Sequence, residues 1–184
     1  MLAACGGGDQ AEGMTFRGST PPAGLVAPDF TFPDQSGRPV AMRALRGRVV
    51  LVTFLDSQCT ESCQLVARVI AQALDLLEPG ERGGVVALAL STDPKEDTRE
   101  SVRVFLARNR AEDELRYLVA PEADMRPVWA AFHVVASADT GLDAVHSAPV
   151  RIFDRRGAWV ATLHPGADLT AANLAHDVRV ALAL

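Results

Sequence analysis

Two apolar runs, Val49-Val50-Leu51-Val52-Thr53-Phe54-Leu55 and Val85-Val86-Ala87-Leu88-Ala89-Leu90, constrain what this chain can fold into. Neither alternates apolar with polar residues, which marks strands covered on both faces. Between them Leu65, Val66, Val69, Ile70, Ala73, Leu74 and Leu77 recur at spacings of three and four. That is one face of a helix, which Glu78-Pro79-Gly80 is expected to end. Upstream, Phe30–Phe32, the turn Asp34–Gly37 and Pro39–Ala41 read as a small hairpin. Downstream, Ser91-Thr92-Asp93-Pro94 turns into a mostly polar helix over Thr98–Arg108. A short strand, Leu115–Val119, a helix, Met125–Phe132, and a loop over 136–148 follow. Val150–Phe153 and Trp159–Leu163 are strands joined by the turn Asp154–Gly157, and Leu169–Leu182 closes as a helix. The order is hairpin, βα, βα, βα, ββ, α. It predicts an α/β sandwich with a mixed central sheet flanked by helices, with no internal repeat and no second folded domain.

The 184 residues suit one domain plus a tail. With 18 basic against 23 acidic residues and no basic run, the chain does not read as a nucleic-acid binder. Nor does any apolar stretch approach the ~18 residues needed to span a bilayer. Three cysteines, Cys5, Cys59 and Cys63, are too few for a disulfide framework, so the question becomes what each is for. Leu2-Ala3-Ala4-Cys5 resembles a bacterial lipobox, whose cysteine is lipidated after signal cleavage. The basic and apolar regions of a signal peptide are missing before it. The same four residues also arise by chance. Residues 6–24 hold six glycines and two prolines with no periodicity, the composition of a flexible linker. The expected organisation is a truncated lipoprotein-type leader and linker over 1–24 and a folded domain over 25–184. A lipidated Cys5 would anchor that domain to the bacterial cell membrane on its extracytoplasmic side.

Cys59 and Cys63 fall where the first long strand meets the first long helix, four residues apart. With a helix beginning near Thr60, both thiols lie together at its N-terminus, where free N–H groups and the helix dipole favour thiolate. Such a pair can chelate a soft metal or oxidise to a disulfide. Alternatively, two small apolar cysteines simply extend the core; that accounts for Cys63 but not for Cys59, which precedes the helix. A third ligand would be one of His133, His146, His164 or His176. His176 looks solvent-facing in the last helix, His164 precedes Pro165, His133 follows a helix end, and His146 lies in the loop before the penultimate strand.

The stretch Thr53-Phe54-Leu55-Asp56-Ser57-Gln58-Cys59-Thr60-Glu61-Ser62-Cys63 resembles the T-F-x-Y-T-x-C-P-x-x-C-P motif of the SCO/SenC family of copper-binding thioredoxin-fold proteins. Ser91-Thr92-Asp93-Pro94-Lys95-Glu96-Asp97-Thr98 resembles that family's S-V-D-P-x-x-D-T. His146-Ser147, with Asp154 and Gly157 following, resembles the segment that carries its histidine ligand. The likeness covers about residues 25–184. It implies a thioredoxin-like fold and a copper site, for Cu(I) or Cu(II), made by Cys59, Cys63 and His146. It also implies a role as a metallochaperone for the dinuclear copper site of cytochrome c oxidase subunit II, or for another extracytoplasmic copper protein, with membrane contact through the lipid anchor only. The chain departs from the motif at Thr60 and Gln64, where the family has proline, and at Asp56, where it has tyrosine. A carboxylate at Asp56 is expected to raise the pKa of the neighbouring thiols.

Other chemistries use the same residues. Cys59 and Cys63 would serve as attacking and resolving thiols of a thiol–disulfide reductase, with or without copper, although the usual spacer is two residues rather than three. A peroxiredoxin looks for threonine three residues before its reactive cysteine, and that position is Asp56. Structural zinc ordinarily takes a fourth protein ligand, and the sequence offers no evident one. Asp93, Pro94 and Asp97 read as structural turn residues, and Trp129 and Phe132 as core.

Overall fold

The computed structural model describes residues 15–136 and 148–184. Strands β1 (Thr31–Pro33) and β2 (Pro39–Ala41) form the expected antiparallel hairpin. Its turn is organised by Asp34, whose Oδ1 accepts the N–H groups of Ser36 at 3.0 Å and Arg38 at 2.9 Å. Five further strands make one sheet: β3 (Val49–Leu55), β4 (Val85–Ser91), β5 (Leu115–Leu118), β6 (Val150–Phe153) and β7 (Trp159–Leu163). Their spatial order is β5-β4-β3-β6-β7. β3, β4 and β5 run parallel, while β6 and β7 are antiparallel additions on the other side of β3. The mixed α/β sandwich is therefore as expected.

The sheet order explains why the two apolar runs do not alternate. β3 and β4 are interior strands, and every residue of each is buried. Val49, Leu51 and Leu55 face one core with helices α1 (Ser62–Asp75), α3 (Arg99–Arg108) and α5 (Ala171–Ala183). Val50, Val52 and Phe54 face a second core with the hairpin and α4 (Glu122–Ala131). Trp129 and Phe132 lie in that second core, 3% and 1% exposed, as core residues should.

Some local expectations shift. Glu78-Pro79-Gly80 does not end the first long helix, which stops at Asp75; it opens a separate turn, α2 (Pro79–Arg82). Glu78 and Glu81 form a reciprocal capping box there, and Pro79 takes a first-turn position where its missing N–H costs nothing. Residues 16–19, placed with the linker on composition, pack on the domain. Phe16 touches the first core, Arg17 and Gly18 donate their N–H groups to Asp177 at 2.8 and 2.9 Å, and Ser19 bridges to Thr162. Among the described residues, contacts with the domain are thus made from Phe16 onward, ahead of the expected boundary at residue 25. His176 is partly covered, its Nδ1 2.9 Å from Asp177 Oδ1.

Candidate metal and dithiol site

The chain leaves β3 at Leu55, makes a tight loop through Asp56, Ser57, Gln58 and Cys59, and enters α1 at Ser62, two residues later than the sequence suggests. Each loop residue is held. Asp56 is buried, and its Oδ1 accepts the Gln58 N–H at 2.7 Å while its carbonyl accepts the Cys59 N–H at 3.2 Å. Asp97 Oδ1 accepts the Ser57 N–H at 2.8 Å. The other oxygen of Asp97 takes the hydroxyls of Ser91 at 2.6 Å and Tyr117 at 2.8 Å. Burial pushes the Asp97 carboxyl up to about 6, against the opposing pull of those hydrogen bonds.

No side chain of the preceding residue, Glu61, caps α1. The sulfur of Cys59 fills part of that role, accepting the backbone N–H of Cys63 at 3.5 Å with Ser62 Oγ at 3.7 Å. Both thiols are free, Cys59 half-buried and Cys63 buried. Their environments split their acidities. The Cys63 thiol hydrogen-bonds to Cys59 and, with the N–H groups of Cys63 and Glu61, holds the Cys59 thiol down at about 5 against desolvation. Cys63 is driven strongly upward, first by that same hydrogen bond to Cys59, then by burial, with the Asp56 charge adding to the rise. The expected effect of the Asp56 charge is thus a minor contribution at Cys63, opposed there by a backbone hydrogen bond involving Asp56, and it fails for Cys59, where the hydrogen bond from the Cys63 thiol dominates. Together the pair is one half-buried acidic thiol backed by one fully buried thiol.

Among the described residues no three His, Cys, Asp or Glu side chains form a metal-sized group. His133, His164 and His176 thus do not join the two cysteines in such a group. His146 and Cys5 lie outside the described residues. The carbonyl of Ala148 is 3.4 Å from Thr53 Oγ1, near the end of β3 that leads to Cys59.

From sequence alone Asp97 reads as an ordinary turn residue, and its partners Ser57, Ser91 and Tyr117 do not stand out as a group. The available signal was Tyr117, the chain's sole tyrosine, within a buried strand. A buried phenol needs a polar partner, and here its hydroxyl lies 2.9 Å from the Leu55 carbonyl and 2.8 Å from Asp97.

A mixed sheet with helices on both faces and a dithiol at the first long strand–helix junction defines a thioredoxin-like protein. The SCO1/SenC family model matches residues 18–183, and the chain belongs to that family. The solution structure of apo Sco1 from Thermus thermophilus is similar with a TM-score of 0.75 at 20% identity, covering 95% of this chain and 100% of that one. The structure of Bradyrhizobium japonicum ScoI with copper bound is similar with a TM-score of 0.71 at 23% identity, covering 86% and 100%. A curated relative, peroxiredoxin Bcp of Escherichia coli, is 36% identical over 74 residues, 40% of this chain. The match spans 46% of that relative's length, less than half of it.

Proposed function

We propose that the chain is a copper carrier that holds one copper ion through the thiolates of Cys59 and Cys63 and the imidazole of His146. The observation that carries this is the pairing of the two sulfurs across the first turn of α1, with Cys59 half-exposed and already acidic. Two soft thiolates and an imidazole suit Cu(I) and also accept Cu(II). Bound copper would offset the rise in the Cys63 pKa, because a cation favours the thiolate. Family membership supports the assignment, as does the copper-bound state of the B. japonicum relative. The contact of Ala148, two residues after His146 in sequence, with Thr53 near the dithiol end of β3 supports His146 as the third ligand.

In this reading copper is cargo. It leaves by ligand exchange, the half-exposed Cys59 being more accessible to a client than the buried Cys63. The client is the dinuclear copper site of cytochrome c oxidase subunit II, and the carrier works outside the cytoplasm on a lipidated Cys5. The test is to load the chain with Cu(I) anaerobically, mix it with the copper-free soluble domain of subunit II, separate the two and measure copper in each. Copper moving to the client supports the proposal; copper retained on the chain at equilibrium opposes it.

A second activity is favoured by the split acidity of the cysteines. The Cys59 thiolate would attack a client disulfide, giving a mixed disulfide and releasing one client thiolate. Cys63, losing its proton, would then attack the Cys59 sulfur. The client leaves as a dithiol, reduced by two electrons, and the chain is left with a Cys59–Cys63 disulfide. Reduction of the client cysteines would thus precede metal loading.

A further inference from the structure

At the end of the sheet opposite the cysteines, the chain gathers cationic and apolar groups that the copper reading does not use. Arg43 belongs to the 3-10 turn Met42–Leu45, and Arg46 and Arg48 follow it into β3. Arg155 and Arg156 form the turn between β6 and β7. β3 and β6 are antiparallel, with Val50 opposite Phe153, so both groups lie at one end of the sheet. The Gly47 N–H donates to the Arg155 carbonyl at 2.8 Å and joins them directly. All five arginines are exposed in a chain whose net charge is −5.

Little of that positive charge is neutralised. Arg156 pairs with Asp154 at 3.1 Å, and Arg43 reaches Asp29 only at 3.9 Å. Among the described residues no carboxylate is within ion-pair reach of Arg46, Arg48 or Arg155. On the neighbouring half of this end Glu81 pairs with Arg179 at 3.0 Å and Glu114 with Arg82, while Asp75, Glu112 and Asp113 are exposed there, so the positive charge is confined to the β3, β6 and β7 side. Arg43, Arg46 and Arg48 border a small cleft of about 30 Å³, which Asp29 and Asp154 also line. Gly157 accommodates the Arg46 guanidinium, since a Cβ there would lie 2.2 Å from Nη1.

Apolar side chains adjoin this cluster. Leu25 and Val26 are 41% and 61% exposed. Both are fixed by the backbone beside the arginine turn: Leu25 accepts the Trp159 N–H at 3.0 Å, and Val26 bridges to Ala158. Exposed aliphatic side chains next to unpaired guanidinium groups match the boundary between lipid headgroups and acyl chains. Guanidinium also pairs with phosphate in a bidentate way.

We propose that this face docks on an anionic lipid bilayer, with the arginines on headgroup phosphates and Leu25 and Val26 entering the boundary region. Seven residues of β3 span roughly 20 Å, so this contact would present Cys59 away from the membrane, toward a client's extramembrane domain. The proposal concerns the protein face alone and is independent of both copper binding and lipidation of Cys5.

The experiment uses the full 184-residue chain without lipid. It is sedimented with phosphatidylcholine vesicles that contain or lack phosphatidylglycerol. The chain is expected to sediment with the anionic vesicles, to stay in the supernatant when mixed with the neutral ones, and to be released by salt. The double variant Arg48→Glu/Arg155→Glu should bind at least about tenfold more weakly, and Val26→Asp should also weaken binding. Arg103→Glu/Arg108→Glu makes the same charge change on exposed positions of α3 and should bind more tightly than the first pair. Equal binding to both vesicle types, or equal loss in the two double variants, overturns the proposal.

Discussion

The Ser57 N–H donates to Asp97 Oδ1 at 2.8 Å, which ties the loop carrying Cys59 to the segment after β4. The same carboxylate binds Tyr117 from β5, so two strands brace the approach to the dithiol. The brace contains an ionisable group in a buried place, and that gives it a pH signature.

Asp97 is raised from 3.8 to about 6. An acid whose folded pKa is raised contributes most to stability below its unfolded pKa, because the folded state holds the proton more tightly. That contribution is lost as pH rises from about 4 through about 6, and amounts to about 3 kcal/mol. Asp97→Asn, which keeps an acceptor for Ser57, should flatten this part of the stability curve and be as stable as the parent at pH 7. Asp97→Ala should be less stable by about 1–3 kcal/mol, having left the Ser57 N–H without its acceptor. Urea unfolding across that pH range checks both.

Asp34 gives the opposite slope. Burial raises its carboxyl, but hydrogen bonds from Ser36, Arg116 and Arg38 outweigh burial and hold it at about 2. Its contribution of about 2 kcal/mol is present above pH 4 and lost as pH falls through 2. Asp34→Asn should lower stability at neutral pH and remove that acid-side loss, read by thermal unfolding between pH 2 and 5.

The two thiols should react very differently in the metal-free reduced protein. Alkylation by iodoacetamide should modify Cys59 first, with a rate that rises through about pH 5 and then levels. Cys63 should resist until the protein unfolds, being 2% exposed with its pKa driven up. Cys63→Ala removes the hydrogen bond that contributes most to the acidity of Cys59, and should move the rate midpoint upward. Mass spectrometry of the modified peptides distinguishes the sites.

The strands were legible because β3 and β4 are interior, and their two-sided burial writes itself as unbroken hydrophobicity. The junction that holds the cysteines was legible for the same reason, since it follows β3. The start of α1 was less so. Thr60 and Glu61 suit a helix locally, but Glu61 adopts φ −123° and ψ −87°, outside the helical region, and helical geometry begins at Ser62. The Asp97 brace joins residues 40 positions apart, and the Asp177 clamp on Arg17 joins residues 160 apart. Contacts at such separations leave no periodicity in a single sequence. Glu78-Pro79-Gly80 misled because proline and glycine punctuate both ends of helices, and only the Glu78–Glu81 box shows that a new turn begins.

Anaerobic titration of the reduced chain with Cu(I), followed by metal analysis, tests the central claim most directly. The account predicts one tightly bound copper per chain, with affinity impaired separately by Cys59→Ser, Cys63→Ser and His146→Ala. Unchanged stoichiometry and affinity in all three variants would contradict it.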